Sequence, residues 1–183
     1  MIRLHALSSA EIQTPQVTIT PSQEIVFAAT LYLILEGERP VSRQKLASLL
    51  WPLSEKAVRA HRLRQTLFQL KRLGIGLDAT RDTIRLAPRS ALIDADSEPP
   101  AGIASTTWPS RIDILSGYDP TFSAPYAEWV DSARERMQVR LLERLIPLLE
   151  NARASGDWIH ANRLASYCLN LDPFNESALL TRA

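Results

Sequence analysis

Residues 54–73 read SEKAVRAHRLRQTLFQLKRL, and this stretch decides how the first half of the chain is interpreted. Ser54 is a predicted N-cap, and Gly74 ends the helix after Leu73. Apolar residues recur every three or four positions, which predicts a buried stripe formed by Ala60, Leu63, Leu67 and Leu70. The opposite side is cationic and polar, and it has no carboxylate after Glu55. Phe68 does not fit this polar side and is predicted to be a packing residue at its edge.

Side chains of the kinds that contact DNA occupy this opposite side. Arginine pairs bidentately with guanine, glutamine does so with adenine, and flanking cations bind phosphates. The predicted base-reading residues are His61, Arg62, Gln65, Gln69 and Arg72. The predicted phosphate or flanking contacts are Arg43, Lys45, Lys56, Arg59, Arg64 and Lys71. A solvated cationic face would have the same composition, so the neighbouring elements must decide between the two.

The segments upstream predict a small sheet and two helices. Alternating residues at 2–7 and 17–20 indicate short strands. Ser22 is a predicted N-cap for a helix over 25–35, which ends at Gly37 and is apolar nearly all round, as is typical of a buried central helix. Ser42 caps a shorter helix over 43–51, which Pro52 stops.

The segment downstream predicts a hairpin. Residues 76–79 and 83–87 alternate around 80–82, which places Arg81 at the tip and Arg85 on the second strand as wing contacts to DNA. The complete order is strands, helix, short helix, turn, long helix and hairpin. This order is typical of a winged helix-turn-helix.

The second half predicts helices after an irregular connection. Residues 88–117 contain prolines, serines and threonines without a clear period. A helix over 125–154 follows, with Pro147 as a predicted kink or break, then helices over 158–171 and from Asp172 onward. The apolar stripe predicted for the long helix is Trp129, Ala133, Met137, Leu141, Leu145 and Leu148. Trp158 is also predicted to lie in the core.

These helices loosely follow a tetratricopeptide pattern, whose repeat is about 34 residues long. Roughly one and a half such units are present, whereas stable arrays need about three. We therefore expect either self-association, for example as a homodimer, or further domains beyond Ala183.

The charge is unevenly distributed between the halves. Residues 1–90 carry 13 Lys/Arg against 7 Asp/Glu, whereas residues 91–183 carry 8 against 13. A basic half joined to an acidic half indicates two roles, one of them on a polyanion.

Features of catalysis and of membranes are missing from the sequence. The single cysteine, Cys168, lies on an apolar helix side and is predicted to be a small buried residue. His5, His61 and His160 show no metal-ligand or catalytic spacing, and no phosphate-loop pattern occurs. We expect no enzyme activity, no cofactor and no metal. No secretory leader or apolar run of about 20 residues is visible, which predicts a cytoplasmic protein without membrane contact.

Two blocks in the first half resemble the Streptomyces antibiotic regulatory proteins. Residues 40–52, PVSRQKLASLLWP, are similar to their PVSREELAELLWP stretch. Residues 63–73, LRQTLFQLKRL, are similar to their LRQALSRLRRLL recognition helix, which is of the OmpR/PhoB winged-helix type. In the second half, blocks at 117–120, 128–130, 134–136 and 156–176 resemble the bacterial transcriptional activator domain.

The resemblance implies an α+β winged helix-turn-helix over 1–90, a connection over 91–117, and a truncated all-α tetratricopeptide-like domain over 118–183. It implies a transcription activator that binds direct repeats in promoter DNA and contacts RNA polymerase subunits. The DNA contacts that it implies are Arg59, Arg62, Arg64, Gln65, Gln69 and Arg72. Two alternatives stay open: an adaptor that uses its winged helix for protein contacts, and a small-molecule sensor, for which no pocket residues can be named.

Overall fold

The chain has an α+β fold, with its sheets in the N-terminal half and long helices in the C-terminal half. A computed structural model describes residues 1–99 and 108–182. The strands are β1 (Ile2–His5), β2 (Glu11–Gln13), β3 (Thr18–Ile19), β4 (Val41–Ser42), β5 (Leu77–Ala79), β6 (Thr83–Leu86) and β7 (Ala91–Ile93). The helices are α1 (Glu24–Leu35), α2 (Arg43–Leu50), α3 (Lys56–Arg72), α4 (Ala124–Ala154), α5 (Trp158–Leu171) and α6 (Glu176–Arg182).

Two small sheets frame the N-terminal half. The first is mixed, in the order β3-β2-β1-β7, with β1 antiparallel to β2 and parallel to β7. The second is antiparallel, in the order β4-β6-β5, and it contains the predicted hairpin. The sequence did not predict β2, β4 or β7.

The segment 91–117 is more ordered than the predicted irregular connection. Residues 91–93 are strand β7, and Asp94–Asp96 forms a 3₁₀ turn whose Asp94 carboxylate accepts the backbone N–H groups of Ala6 and Leu7. Trp108 and Leu115 are buried. These parts belong to the packed structure, while residues 100–107 of the predicted connection lie outside the described residues.

Helix α1 is the centre of the N-terminal half, as its composition predicted. Its residues 27–34 are all buried. Gly37 follows it at φ +68, a left-handed conformation that glycine adopts without strain. The predicted cap is wrong, because Gln23 occupies the N-cap position and the Ser22 hydroxyl bonds to that of Thr20 instead.

Helices α2 and α3 lie close to their predicted bounds. The Ser42 hydroxyl caps α2 by accepting the backbone N–H of Lys45, as predicted. Glu55, not Ser54, holds the N-cap position of α3, and the Ser54 hydroxyl accepts a hydrogen bond from the Arg62 guanidinium.

The helical half consists of α4 packed against α5, with α6 in contact with both. Helix α4 continues through Pro147 without interruption. Cys168 is buried as predicted, and burial together with the charge of Asp172 raises the pKa of its thiol to about 11. Two predictions are wrong: Leu149 is buried instead of Leu148, and Trp158 is 63% exposed. Within residues 1–99 and 108–182, no helix is both long enough and apolar enough to cross a bilayer.

The two halves share one core. At the start of α4, the Ser123 hydroxyl donates to the Leu49 carbonyl at the end of α2, at 2.6 Å. The Tyr126 hydroxyl donates to the Ala28 carbonyl of α1 at 3.0 Å. Trp129 packs its ring on that of Tyr32, with 4.7 Å between the centroids. The first turns of α4 therefore cover α1 and fix the helical half against α2.

Candidate nucleic-acid interface

One side of α3 is anchored in the core and the rest faces solvent. Leu63, Leu67 and Leu70 are buried, as the stripe predicted. Thr66 is buried as well, and its hydroxyl donates to the Arg62 carbonyl one turn earlier. Ala60 is exposed, contrary to the prediction, because it faces an open groove next to α2. The buried residues fix the orientation of every other side chain of α3.

The exposed side of α3 forms a shallow concave surface, which we call the α3 face. It is lined by His61, Arg64, Gln65, Phe68, Gln69 and Arg72. These positions recur every three or four residues, so they form one continuous face of the helix. Four of the five predicted base-reading residues lie here. Arg62 does not line this surface, since its guanidinium is bonded to Ser54 at 3.2 Å on a flank of the helix.

A deeper groove runs between α2, the first turns of α3 and the tip of the β5–β6 hairpin; we call it the α2–α3 groove. Five predicted phosphate or wing residues line it, namely Arg43, Lys56, Arg59, Arg64 and Arg81. Arg64 lines both surfaces, so the groove and the α3 face are adjacent. Ser42, Gln44 and Ser48 also line the groove. The sequence analysis missed them because it assigned DNA contacts on α2 to cationic residues alone.

Hydrogen bonds connect the walls of the groove. The Arg59 guanidinium donates to the Ser48 hydroxyl at 2.9 Å, which joins α3 to α2. The backbone N–H of Arg43 donates to the Asp82 carbonyl at 2.9 Å, and its guanidinium donates to the Thr80 carbonyl at 3.0 Å. The hairpin tip is therefore tied to the start of α2, and the guanidinium groups of Arg43 and Arg59 are held in place on the groove walls.

The remaining predicted contacts lie outside these two surfaces. Lys45 and Lys71 are exposed on α2 and α3 but do not line either surface. Arg85 forms an ion pair with Asp78 across the hairpin, at 3.2 Å, so part of its charge is balanced locally. Of the two predicted wing residues, only Arg81 faces the groove.

The charge of this region is strongly positive. Residues 41–86, which include both surfaces, carry ten Lys/Arg against three Asp/Glu. Of the three acids, Asp78 is paired with Arg85, Glu55 is the N-cap of α3, and Asp82 lines the groove. Such a concentration of cations with hydrogen-bonding amides among them favours a ligand that carries both repeated negative charges and hydrogen-bonding groups.

No cluster of three or more His, Cys, Asp or Glu is placed to hold a metal ion in the described part of the chain. The sequence matches no protein-family model, and a search of curated proteins finds no match.

Proposed function

We propose that the chain is a sequence-specific DNA-binding transcriptional regulator whose N-terminal half is a winged helix-turn-helix. The observation that carries the proposal is the adjacency of the α3 face and the α2–α3 groove, joined at Arg64. The former presents arginine, glutamine and histidine, and the latter presents four arginines and one lysine together with Asp82. Base edges and phosphates are adjacent ligands of these two kinds in a DNA duplex.

The order of the elements supports this proposal. Helix α3 follows α2 after a short turn, and the β5–β6 hairpin comes next, which is the order of a winged helix. Helix α3 has 17 residues, or about 25 Å at 1.5 Å per residue. A helix of that kind fits the major groove, which is about 12 Å wide. In this arrangement Arg81, at the hairpin tip, contacts the minor groove or the backbone beside it.

For the helical half we propose a tetratricopeptide-like activator module that contacts RNA polymerase subunits. Two observations support it: the blocks that resemble the bacterial transcriptional activator domain, and the helix pair α4–α5 joined by a tight turn at Gly156, with φ +74. The protein would then act as an activator at promoter repeats.

The first test is selection of duplexes from a random pool, followed by binding measurements from 50 to 200 mM salt. Because each neutralised phosphate releases counterions, a protein with 6–10 phosphate contacts loses roughly 10³–10⁵-fold in affinity over that range. We expect a preferred sequence and a steep salt dependence. An adaptor that used this surface for a protein partner would yield no preferred duplex, and that result would overturn the proposal.

Three variants test the assignment of residues. Gln65→Ala, on the α3 face, should relax base preference by ~1–3 kcal/mol at one position, since a bidentate contact to adenine is lost. Lys56→Ala, in the α2–α3 groove, should weaken all sequences alike and reduce the salt slope by about 1. Arg182→Ala removes an exposed cation of α6 and serves as the matched control, with both quantities unchanged. A Gln65→Ala protein with unaltered preference would count against the α3 face.

A further inference from the structure

Phe68 is an apolar residue that the fold does not account for. Its side chain is 65% exposed, and it lines the α3 face among His61, Arg64, Gln65, Gln69 and Arg72. The buried anchor of α3 is on the opposite side of the helix, so the Phe68 ring does not contribute to the core. Exposing a phenyl ring to water is unfavourable, and a ligand with an apolar group would relieve that cost.

We infer that Phe68 recognises the C5-methyl group of a thymine in the major groove. This inference rests on the proposed function and adds one specificity-determining residue to it. In the major groove the thymine methyl is the apolar group that distinguishes base edges, and phenylalanine is among the side chains that contact it.

The neighbours of Phe68 indicate thymine over other methylated pyrimidines. Gln65 lies one turn before Phe68 on the same face, and Gln69 is adjacent to it. Glutamine pairs bidentately with N6 and N7 of adenine, the base opposite thymine. A glutamine and Phe68 could together contact both bases of one A·T pair. They could also contact two neighbouring pairs, because consecutive bases lie about 3.4 Å apart and one turn of the helix spans about 5.4 Å.

The experiment uses the full chain and the duplex selected above. Each thymine of the site is replaced in turn by deoxyuridine, which removes the methyl group and leaves the pairing intact. We expect one replacement to weaken wild-type binding about fourfold, the ratio that corresponds to one buried methyl group. Phe68→Ala should bind the thymine and deoxyuridine duplexes equally, whereas Phe68→Leu should keep most of the discrimination.

The controls separate this inference from the proposed function. Phe174→Ala removes a phenyl ring that is 87% exposed in the helical half, and it should leave the discrimination unchanged. Far-UV circular dichroism of Phe68→Ala should match wild type, because the lost ring is exposed.

Five results would overturn the inference. If wild type binds no duplex with preference, the proposed function fails and the role of Phe68 fails with it. If wild type prefers a sequence but tolerates every deoxyuridine, or if Phe68→Ala still discriminates, only the role of Phe68 fails. A 5-methylcytosine·guanine pair bound as well as thymine·adenine would overturn the assignment to thymine. Loss of self-association in Phe68→Ala with unchanged DNA binding would make the ring a protein contact instead.

Discussion

Tyr32 is a fully buried residue of α1 with an isolated polar group. Its hydroxyl finds no hydrogen-bond partner among the described residues, while its ring packs on Trp129 of α4. Burial, helped by the charge of Glu36, raises the pKa of Tyr32 to about 12. The hydroxyl therefore adds little to stability at neutral pH and imposes a cost at alkaline pH.

Tyr32→Phe tests this cost. At pH 7 we expect the variant to have an unfolding free energy higher by up to about 1 kcal/mol, because the hydroxyl that is lost is buried without a hydrogen bond to offset its desolvation. Above pH 10 the unfolded phenol ionises while the folded one stays neutral, so wild type loses stability as pH rises from 10 to 12. At pH 11 the variant should lose about 1 kcal/mol less than wild type. Urea unfolding at pH 7, 10 and 11 measures both changes, and an equal loss of stability in both proteins would contradict this prediction.

Tyr126→Phe is the matched comparison. Its hydroxyl donates to the Ala28 carbonyl, so removing it should cost about 1 kcal/mol at pH 7.

At the scale of elements, Arg144 of α4 holds the 3₁₀ turn at Asp94–Asp96. Its guanidinium donates to the carbonyls of Ala95, Asp96 and Ser97. Arg140, one turn earlier, has a single partner among the described residues, an exposed ion pair with Asp96 at 3.8 Å. The two arginines therefore face the same turn with very different contacts.

Replacing each arginine by alanine should separate these contacts. Arg144→Ala should cost about 2 kcal/mol, since hydrogen bonds from a charged donor to partly buried carbonyls are lost. Arg140→Ala should cost less than 1 kcal/mol, because exposed ion pairs contribute little. Thermal or urea unfolding of the two variants measures both values. Similar costs for both would show that Arg144 does not hold the turn.

The helices could be predicted from the sequence, whereas several strands could not. Amphipathic spacing and glycines gave the bounds of α5 without error and those of α2 and α3 within two residues. Strands β2 and β7 have three residues each, and β7 pairs with β1 from about 90 positions away. Three residues are too few to show an alternating pattern, and a partner that is so distant in sequence gives no hairpin signal.

For the candidate site, a helical wheel of α3, which follows from the three-to-four-residue spacing, predicts which side is exposed but not how far that side extends. It placed Ala60 in the core because a wheel shows angle alone, whereas the gap beside α2 depends on how the two helices pack. It also placed Phe68 at the edge of the face as a packing residue, although the structure exposes it in the middle. Arg62 bonds to Ser54, and Arg85 forms an ion pair with Asp78. Residue composition does not predict these contacts, because they depend on how the side chains are placed in the folded chain.

At the scale of the whole molecule, the core continues from the first sheet into the helical half. Buried residues from β1, α1, α3, α4 and α5 form one cluster. Tyr118 of the second half packs its ring on Phe27 of the first, and Tyr126 packs on Tyr118 and donates its hydroxyl to the Ala28 carbonyl. Buried residues on both sides of residue 90 therefore belong to the same core.

The full chain should accordingly unfold in one transition. Far-UV circular dichroism, dominated by α4 and α5, and hydrogen exchange at the β1–β2 amides should give the same urea midpoint. Leu4→Ala, at a fully buried position of β1, should cost about 2–5 kcal/mol and shift both probes equally. Exposed Val139 of α4 provides the control, because Val139→Ala should leave both midpoints nearly unchanged. Two separate transitions would show that the halves fold independently.

The two bonds that Arg43 makes to the hairpin tip also affect the entropy of binding. An arginine or lysine side chain loses rotamer freedom worth up to about 2 kcal/mol when it is immobilised. Arg43 has already lost much of that freedom, because its guanidinium is held by the Thr80 carbonyl before any ligand arrives. Lys45, exposed on the same helix, still has most of it to lose. If both side chains contacted phosphates, Arg43 would therefore lose less conformational entropy on binding than Lys45.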